Sequence, residues 1–393
     1  MLTSLALIFL LGLFLGSIFK KLNLPSLLGM IIAGMILSPY ALNLLDDSIL
    51  GISPDLRQFA LVIILTRAGL SLDISDLKKV GRPAILMCFV PACFEMLGVI
   101  ILAPKLLNIS ILEASIIGAT IAAVSPAVIV PRMIKLLEEG YGKKHSIPQL
   151  ILAGASVDDV FVIVIFTALT SLATGQQITA SSFLQIPISI VIGILVGILC
   201  GILLTHFFKI YHMRNTVKVL VLLGISFLLI ECENRLSGII PMSGLLAIMS
   251  TGIVIFKKDS GIAKGLSEKY NKLWVAAEVL LFVLVGATVD LNYALTAGFV
   301  AILVVLGALV FRMLGVAVCL FHTELSRNER IFCMIAYTPK ATVQAAIGAI
   351  PLAMGLPCGQ TVLTVAVLSI LITAPFGAIC VDYFYKRLLT KTE

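Results

Sequence analysis

The stretch Leu150–Ala173 reads LILAGASVDDVFVIVIFTALTSLA. Apart from Ser156-Val157-Asp158-Asp159 it is almost wholly apolar, and about twenty helical residues span a bilayer core of ~30 Å. The two aspartates therefore fall near the midplane. Each costs roughly 2.5–3.5 kcal/mol there on insertion scales. A chain that keeps both must offset that cost, and the remaining sequence reads as the apparatus that surrounds, neutralises and alternately exposes them.

The composition agrees. Of 393 residues 60% are hydrophobic and 12% charged, against about 25% charged in soluble domains. The expected class is all-α and polytopic in the membrane, with no enzyme and no cofactor. The net charge of +7 then belongs to cytoplasmic loops and calls for no nucleic-acid partner. Eight cysteines lie in or beside apolar segments without metal-ligand spacing and read as small buried hydrophobes. Leu2–Phe19 has no basic stretch before it, and Lys20-Lys21 follow it, which predicts a retained helix rather than a signal peptide. No soluble domain is expected after Tyr385.

Working outward, thirteen apolar segments can be counted: 2–19, 25–45, 56–72, 83–104, 111–134, 150–173, 183–208, 216–232, 237–256, 272–289, 293–321, 328–354 and 358–385. Most of the 28 basic residues lie in loops after odd-numbered segments and in the C-terminal tail, including Lys78, Lys79, Lys143, Lys144, Lys257, Lys258, Lys386 and Lys391. Loops after even-numbered segments hold only Arg57, Lys105 and Arg235. By the positive-inside rule the N-terminus is expected outside and the C-terminus in the cytoplasm.

The chain also repeats itself. Phe94-Glu95-Met96-Leu97-Gly98-Val99 matches Phe311-Arg312-Met313-Leu314-Gly315-Val316 at an offset of 217 residues. Gly69-Leu70-Ser71-Leu72-Asp73 resembles Gly286-Ala287-Thr288-Val289-Asp290 at the same offset, and Ser125-Pro126-Ala127 aligns with Thr338-Pro339-Lys340. Segment n thus pairs with segment n+7, an odd shift that inverts one six-segment unit in the membrane relative to the other. That is the plan of secondary transporters, with sites at the midplane between the repeats.

The intramembrane polar residues can now be placed. Pro126 and Pro339 occupy equivalent mid-segment positions, and a proline there frees backbone groups. Both predict discontinuous helices that cross beside the Asp158-Asp159 segment. Unwound carbonyls and the hydroxyls of Ser125, Ser156 or Thr342 could join Asp159 in wrapping a small hard cation with oxygens. Lys340, beside the second break, is expected at the depth of the aspartates. One aspartate would then face Lys340 while the other faces a cavity. Glu95 and Arg312 sit at the same repeat position with opposite charge and predict an ion pair across the pseudo-two-fold axis. Arg67 and Glu278 can pair as well, although Arg67 could instead snorkel to the interface, whereas Glu231 and Glu233 read as solvated. The glycine series 193, 197, 201, like Gly12 and Gly16, reads as close helix packing. The four histidines sit at loops or helix ends and give no case for a ligand.

Taken together, Val124-Ser125-Pro126-Ala127-Val128-Ile129-Val130-Pro131, Ser156-Val157-Asp158-Asp159, Pro339-Lys340-Ala341-Thr342-Val343-Gln344-Ala345-Ala346 and Arg67-Ala68-Gly69-Leu70-Ser71-Leu72-Asp73 resemble the monovalent cation/proton antiporter superfamily. The similarity is greatest to NHA-type sodium/proton antiporters with a double-aspartate motif. The resemblance implies exchange of Na⁺ or Li⁺ for H⁺ by an elevator-like homodimer, in the cytoplasmic membrane of a prokaryote. It implies dimerisation domains at 1–81 and 215–290, a connector at 174–214, and a moving core at 82–173 and 291–393. It assigns Asp159 as principal carrier, Asp158 as its partner toward Lys340, and Glu95–Arg312 as a core ion pair. A K⁺/H⁺ antiporter or a sodium-coupled organic-anion symporter on the same fold is the alternative.

Overall fold

The computed structural model describes the backbone of residues 1–71, 81–174, 180–211, 213–236 and 242–391, and their side chains except at 156, 160, 180–187, 291 and 294–297. Leu72, Asp73, Lys78, Lys79 and the Ser156 side chain lie outside that set. Among the described residues the structure is helical, apart from an isolated bridge between Tyr141 and Lys391. In chain order come α1 (Leu2–Lys21), α2 (Ser26–Leu37), α3 (Asp47–Gly51), α4 (Ser53–Ser71), α5 (Arg82–Met87) and α6 (Val90–Leu107). Next are α7 (Ile111–Ile121), α8 (Pro126–Glu139), α9 (Ile147–Ala173), α10 (Ala180–Ile210), α11 (Asn215–Leu236) and α12 (Gly244–Lys258). The chain closes with α13 (Ser260–Ala287), α14 (Leu291–Cys319), α15 (Arg327–Ala336), α16 (Thr342–Ile347), α17 (Ile350–Ala353) and α18 (Gly359–Leu388).

Among the described residues nine stretches are long and apolar enough to cross a membrane, whereas α2 and Thr342–Ala353 are apolar but shorter. By packing, the chain divides into one compact unit of Met1–Pro54, Ser75–Thr170 and Leu281–Glu393, and a second of Asp55–Ile74 and Ser171–Leu280.

In the first unit the repeat appears as a reciprocal contact. A Cβ added at Gly98 would come within 2.7 Å of the Phe311 ring, and one at Gly315 within 3.0 Å of Phe94 Cβ. Each repeat thus offers a glycine to the other's phenylalanine, so α6 and α14 approach closely. Lipid supplies no hydrophobic drive between helices, so such close packing is what holds them.

Both predicted breaks occur. Helix α7 stops at Ile121 and α8 begins at Pro126, where a missing amide donor does no harm in a first turn. The residue before it, Ser125, is extended (φ −88°, ψ 111°), as proline requires of its neighbour. Helix α15 stops at Ala336, and α16 starts only at Thr342. The starts of the two broken segments match too. Ser110 Oγ accepts from Glu113 N at 3.2 Å while Glu113 Oε2 accepts from Ser110 N at 2.8 Å. Ser326 and Glu329 form the same capping box at 3.3 and 2.8 Å. Each box contributes about 1 kcal/mol to its helix.

The second unit is built on small residues. A Cβ at Gly193 would meet Ser243 O at 2.6 Å, and Thr251 Oγ1 donates across to Gly197 O at 3.1 Å. The glycine series of α10 therefore serves close packing on α12. Arg67 and Glu278 lie within Coulombic reach of each other in this unit. Glu231 is exposed and paired with Arg235 at 2.6 Å. Glu233 departs from the expected solvated role: its carboxylate accepts from Gly244 N at 3.0 Å and caps α12, whose first amides lack intrahelical partners.

Candidate functional site

The site lies wholly in the first unit, where the two broken helices meet beside α9. A broken helix leaves amides and carbonyls unpaired in a region without water, so each must find a partner. Ser125 N donates to Pro339 O at 2.8 Å, tying one break directly to the other. Val124 N donates to Asp158 Oδ2 at 2.8 Å, and Lys340 N to Thr373 Oγ1 at 2.8 Å. Arg312 Nε donates to Tyr337 O at 2.6 Å, and Arg312 Nη1 donates to Ala122 O.

Gln344 completes the crossing. Its Oε1 accepts from Ala341 N at 2.8 Å, while Nε2 donates to Ala123 O at 2.9 Å and Ile121 O at 3.4 Å. One buried amide thus serves orphan groups of both breaks. The sequence reading missed Gln344 because it looked for charge and proline. Gln344 stands five residues after Pro339 in an apolar run, and its role shows only once the backbone groups it serves are placed.

The charged side chains form a buried chain of four. Lys340 Nζ lies 2.5 Å from Glu95 Oε2, and Arg312 Nη1 lies 2.8 Å from the same oxygen. Arg312 Nη2 lies 2.8 Å from Asp158 Oδ2. All four side chains are at most 1% exposed. The Arg312 guanidinium also sits 5.4 Å from the Tyr337 ring centroid, a cation–π contact.

The Glu95–Arg312 pair stands as expected, but the partner of Asp158 does not. Asp158 is held by Arg312, and Lys340 is held by Glu95. Arginine presents its donors in a planar fork and can serve two carboxylates at once, whereas an ammonium is a single point of charge. Arg312 therefore takes the bridging place between α6 and α9. Lys340 remains within Coulombic reach of Asp158 without an ion pair to it.

Two cations and two anions balance in this chain. Asp159 is left over: its buried Oδ1 has no hydrogen-bond partner among the described residues, and Asp159 forms no ion pair there. The same holds for the buried Ser125 Oγ, Thr342 Oγ1 and Asp158 Oδ1. Buried polar atoms without partners are uncommon, and a bound ion or water is one way in which they are satisfied. These are carboxylate and hydroxyl oxygens, the donor type that a hard cation takes.

His145 proves to be partnered: its Nδ1 is 2.9 Å from Glu329 Oε1, beside the α15 capping box. This pair lies at the helix end, away from the aspartates in sequence.

A family model for the transmembrane sodium/hydrogen exchanger matches residues 5–384. The chain is 33% identical over 391 residues to human sodium/hydrogen exchanger 9B2, covering 94% of this chain and 71% of that protein. It is 31% identical over 385 residues to mouse sodium/hydrogen exchanger 9B1, covering 94% and 67%. Its fold superposes on the sodium proton antiporter MjNhaP1 from Methanocaldococcus jannaschii at pH 8 with a TM-score of 0.86 and 22% identity, over 98% of this chain and 97% of that one. With the crossed breaks, the double aspartate and these similarities together, the chain belongs to the sodium/hydrogen exchanger family, as a monovalent cation/proton antiporter of the NHA type.

Proposed function

We propose that the chain exchanges Na⁺ or Li⁺ for H⁺ by competition at Asp159. The observation that carries this reading is the surplus carboxylate: Asp158 is matched by Arg312 and Lys340 by Glu95, while Asp159 has no cationic partner among the described residues. Protonated, or holding a monovalent cation, the core is close to neutral. Empty and ionised, it carries an uncompensated charge whose passage through a low-dielectric barrier costs many kcal/mol. Only the two loaded forms cross, which couples the fluxes and prevents leak. Ser125, Thr342, Asp158 Oδ1 and Ser156 would add oxygens to the cation shell.

One exchanging carboxylate implies one proton per cation. The remaining architecture follows the sequence: thirteen membrane segments, N-terminus outside and C-terminus in the cytoplasm, forming a homodimer in a prokaryotic cytoplasmic membrane. Residues 82–173 and 291–393 hold every member of the charged cluster and would move as the elevator core. Residues 1–81 and 215–290 would form the dimerisation domain, with 174–214 connecting. In everted vesicles, Asp159→Asn should abolish Na⁺-dependent proton movement. Retained movement at the wild-type rate would sink the assignment.

A further inference from the structure

At the end of α18 the first unit gathers lysines around a pair of tyrosines. Tyr141 and Tyr385 meet edge to face with centroids 5.1 Å apart. Lys135 and Lys386 each stand 5.6 Å from the Tyr385 ring centroid, and Lys391 stands 6.0 Å from that of Tyr141. The backbone holds this arrangement, since Gly142 N donates to Thr390 O at 3.0 Å beside the Tyr141–Lys391 bridge. Two of the local acids are already engaged, while Glu138 stands exposed. Glu139 accepts the Tyr385 hydroxyl at 2.8 Å and lies 3.9 Å from Lys135, and Asp382 pairs with Arg132 at 3.0 Å. Lys386 and Lys391 make no ion pair among the described residues, and the exposed Lys143 and Lys144 add to the positive charge.

A second observation distinguishes this place from an ordinary solvated basic face. Phe376, Ile379 and Tyr383 on α18 are 55%, 54% and 55% exposed. Their spacing puts them on one helix face, which continues to Arg387. The Arg387 guanidinium lies 4.5 Å from the Tyr383 ring centroid. At about 100° per residue, Lys386 projects between this face and Tyr385, so it joins the apolar track to the lysine cluster. The sequence apolar track, interfacial tyrosine, then cations is the order of parts in a phospholipid read from tail to phosphate.

We propose that this end of α18 binds the headgroup of an anionic phospholipid. Lys386, Arg387 and Lys391 hold the phosphate, and Phe376, Ile379 and Tyr383 lie along an acyl chain. Aromatic stacking keeps the cations in place, so little side-chain freedom is lost on binding. The charge complementarity and the continuous track together favour a lipid over a free anion.

The test uses the full chain purified in neutral detergent and titrated with phosphatidylglycerol, phosphatidylcholine or the soluble headgroup glycerophosphoglycerol, read as thermal unfolding. Phosphatidylglycerol should raise the unfolding temperature more than the other two. The combined variant Lys386→Gln, Arg387→Gln, Lys391→Gln should weaken its half-saturation by about 100-fold, at roughly fivefold per basic residue lost near the surface. Phe376→Ser with Ile379→Ser should weaken the lipid effect, and Lys20→Gln with Lys21→Gln should not. An unchanged half-saturation in the triple variant would overturn the site. An equal effect of phosphatidylcholine would overturn its charge selectivity, and an equal effect of the headgroup alone would make it a free-anion site. Native mass spectrometry of the wild-type protein gives an independent reading: no enrichment of anionic over zwitterionic bound lipid would contradict the proposal.

Discussion

Arg312 carries more of the site than any other side chain. It serves Glu95, Asp158 and the carbonyls of Tyr337 and Ala122. Breaking a buried pair strands its partner, at a cost of about 3–5 kcal/mol. Arg312→Lys should therefore lower the unfolding temperature of the purified protein sharply even though charge is kept, because an ammonium cannot reproduce the fork. Thermal unfolding checks this, and a wild-type melting temperature would show that the bridge contributes nothing. Lys340 acts differently. Lys340→Ala leaves Glu95 and Asp158 sharing one cation, so the cluster becomes net negative and its carboxylates hold protons more tightly. Protons then compete better with Na⁺, and the pH–activity profile should move to higher pH, with Lys340→Arg restoring it. A profile that stays in place would mean that Lys340 does not influence the exchanging carboxylate.

At the scale of elements, the crossing is an exercise in backbone accounting. Gln344→Leu keeps the volume but strands Ala341 N and Ala123 O, each costing about 1–3 kcal/mol when buried unpaired. Loss of thermal stability on that order is expected, and Gln344→Leu as stable as wild type would contradict the accounting. The breaks themselves were legible in the sequence, because Pro126 and Pro339 recur at matching repeat positions. So was the Glu95–Arg312 pair, since opposite charges at one repeat position meet across the axis. The capping boxes at Ser110–Glu113 and Ser326–Glu329, which were not read from the sequence, extend the repeat to the helix starts. Gln344 and Tyr337 were not legible, because an uncharged side chain in an apolar run reveals its role only when the backbone it serves is known. Nor could the sequence tell which cation takes Asp158. Depth along a helix follows from residue counting, whereas the choice between Lys340 and Arg312 depends on helix rotation and on how many carboxylates one side chain can reach.

For the whole molecule, the charge balance makes a statement about energetics across the membrane. On the proposed mechanism, with four buried charges cancelling and one carboxylate trading a cation for a proton, each cycle would move no net charge. The transmembrane potential acts on net charge alone, at about 2.3 kcal/mol per elementary charge per 100 mV. Proteoliposome exchange should then run at the same rate with the potential clamped at zero or at −100 mV. A rate that rises steeply with potential would show that a second group in the cluster also titrates. The repeat supports the single count: residues 371 and 372, which stand opposite the aspartates at the offset of the second break, are Leu371 and Ile372. The scaffold is doubled and the site is not.

The central claim is that Na⁺ and H⁺ compete for one carboxylate, and proton release on cation binding tests it most directly. Purified protein in weakly buffered detergent solution is titrated with NaCl against choline chloride while the pH is recorded. The account predicts release of a proton when Na⁺ binds the wild type, and none from Asp159→Asn. Undiminished Na⁺-dependent release from Asp159→Asn would contradict it.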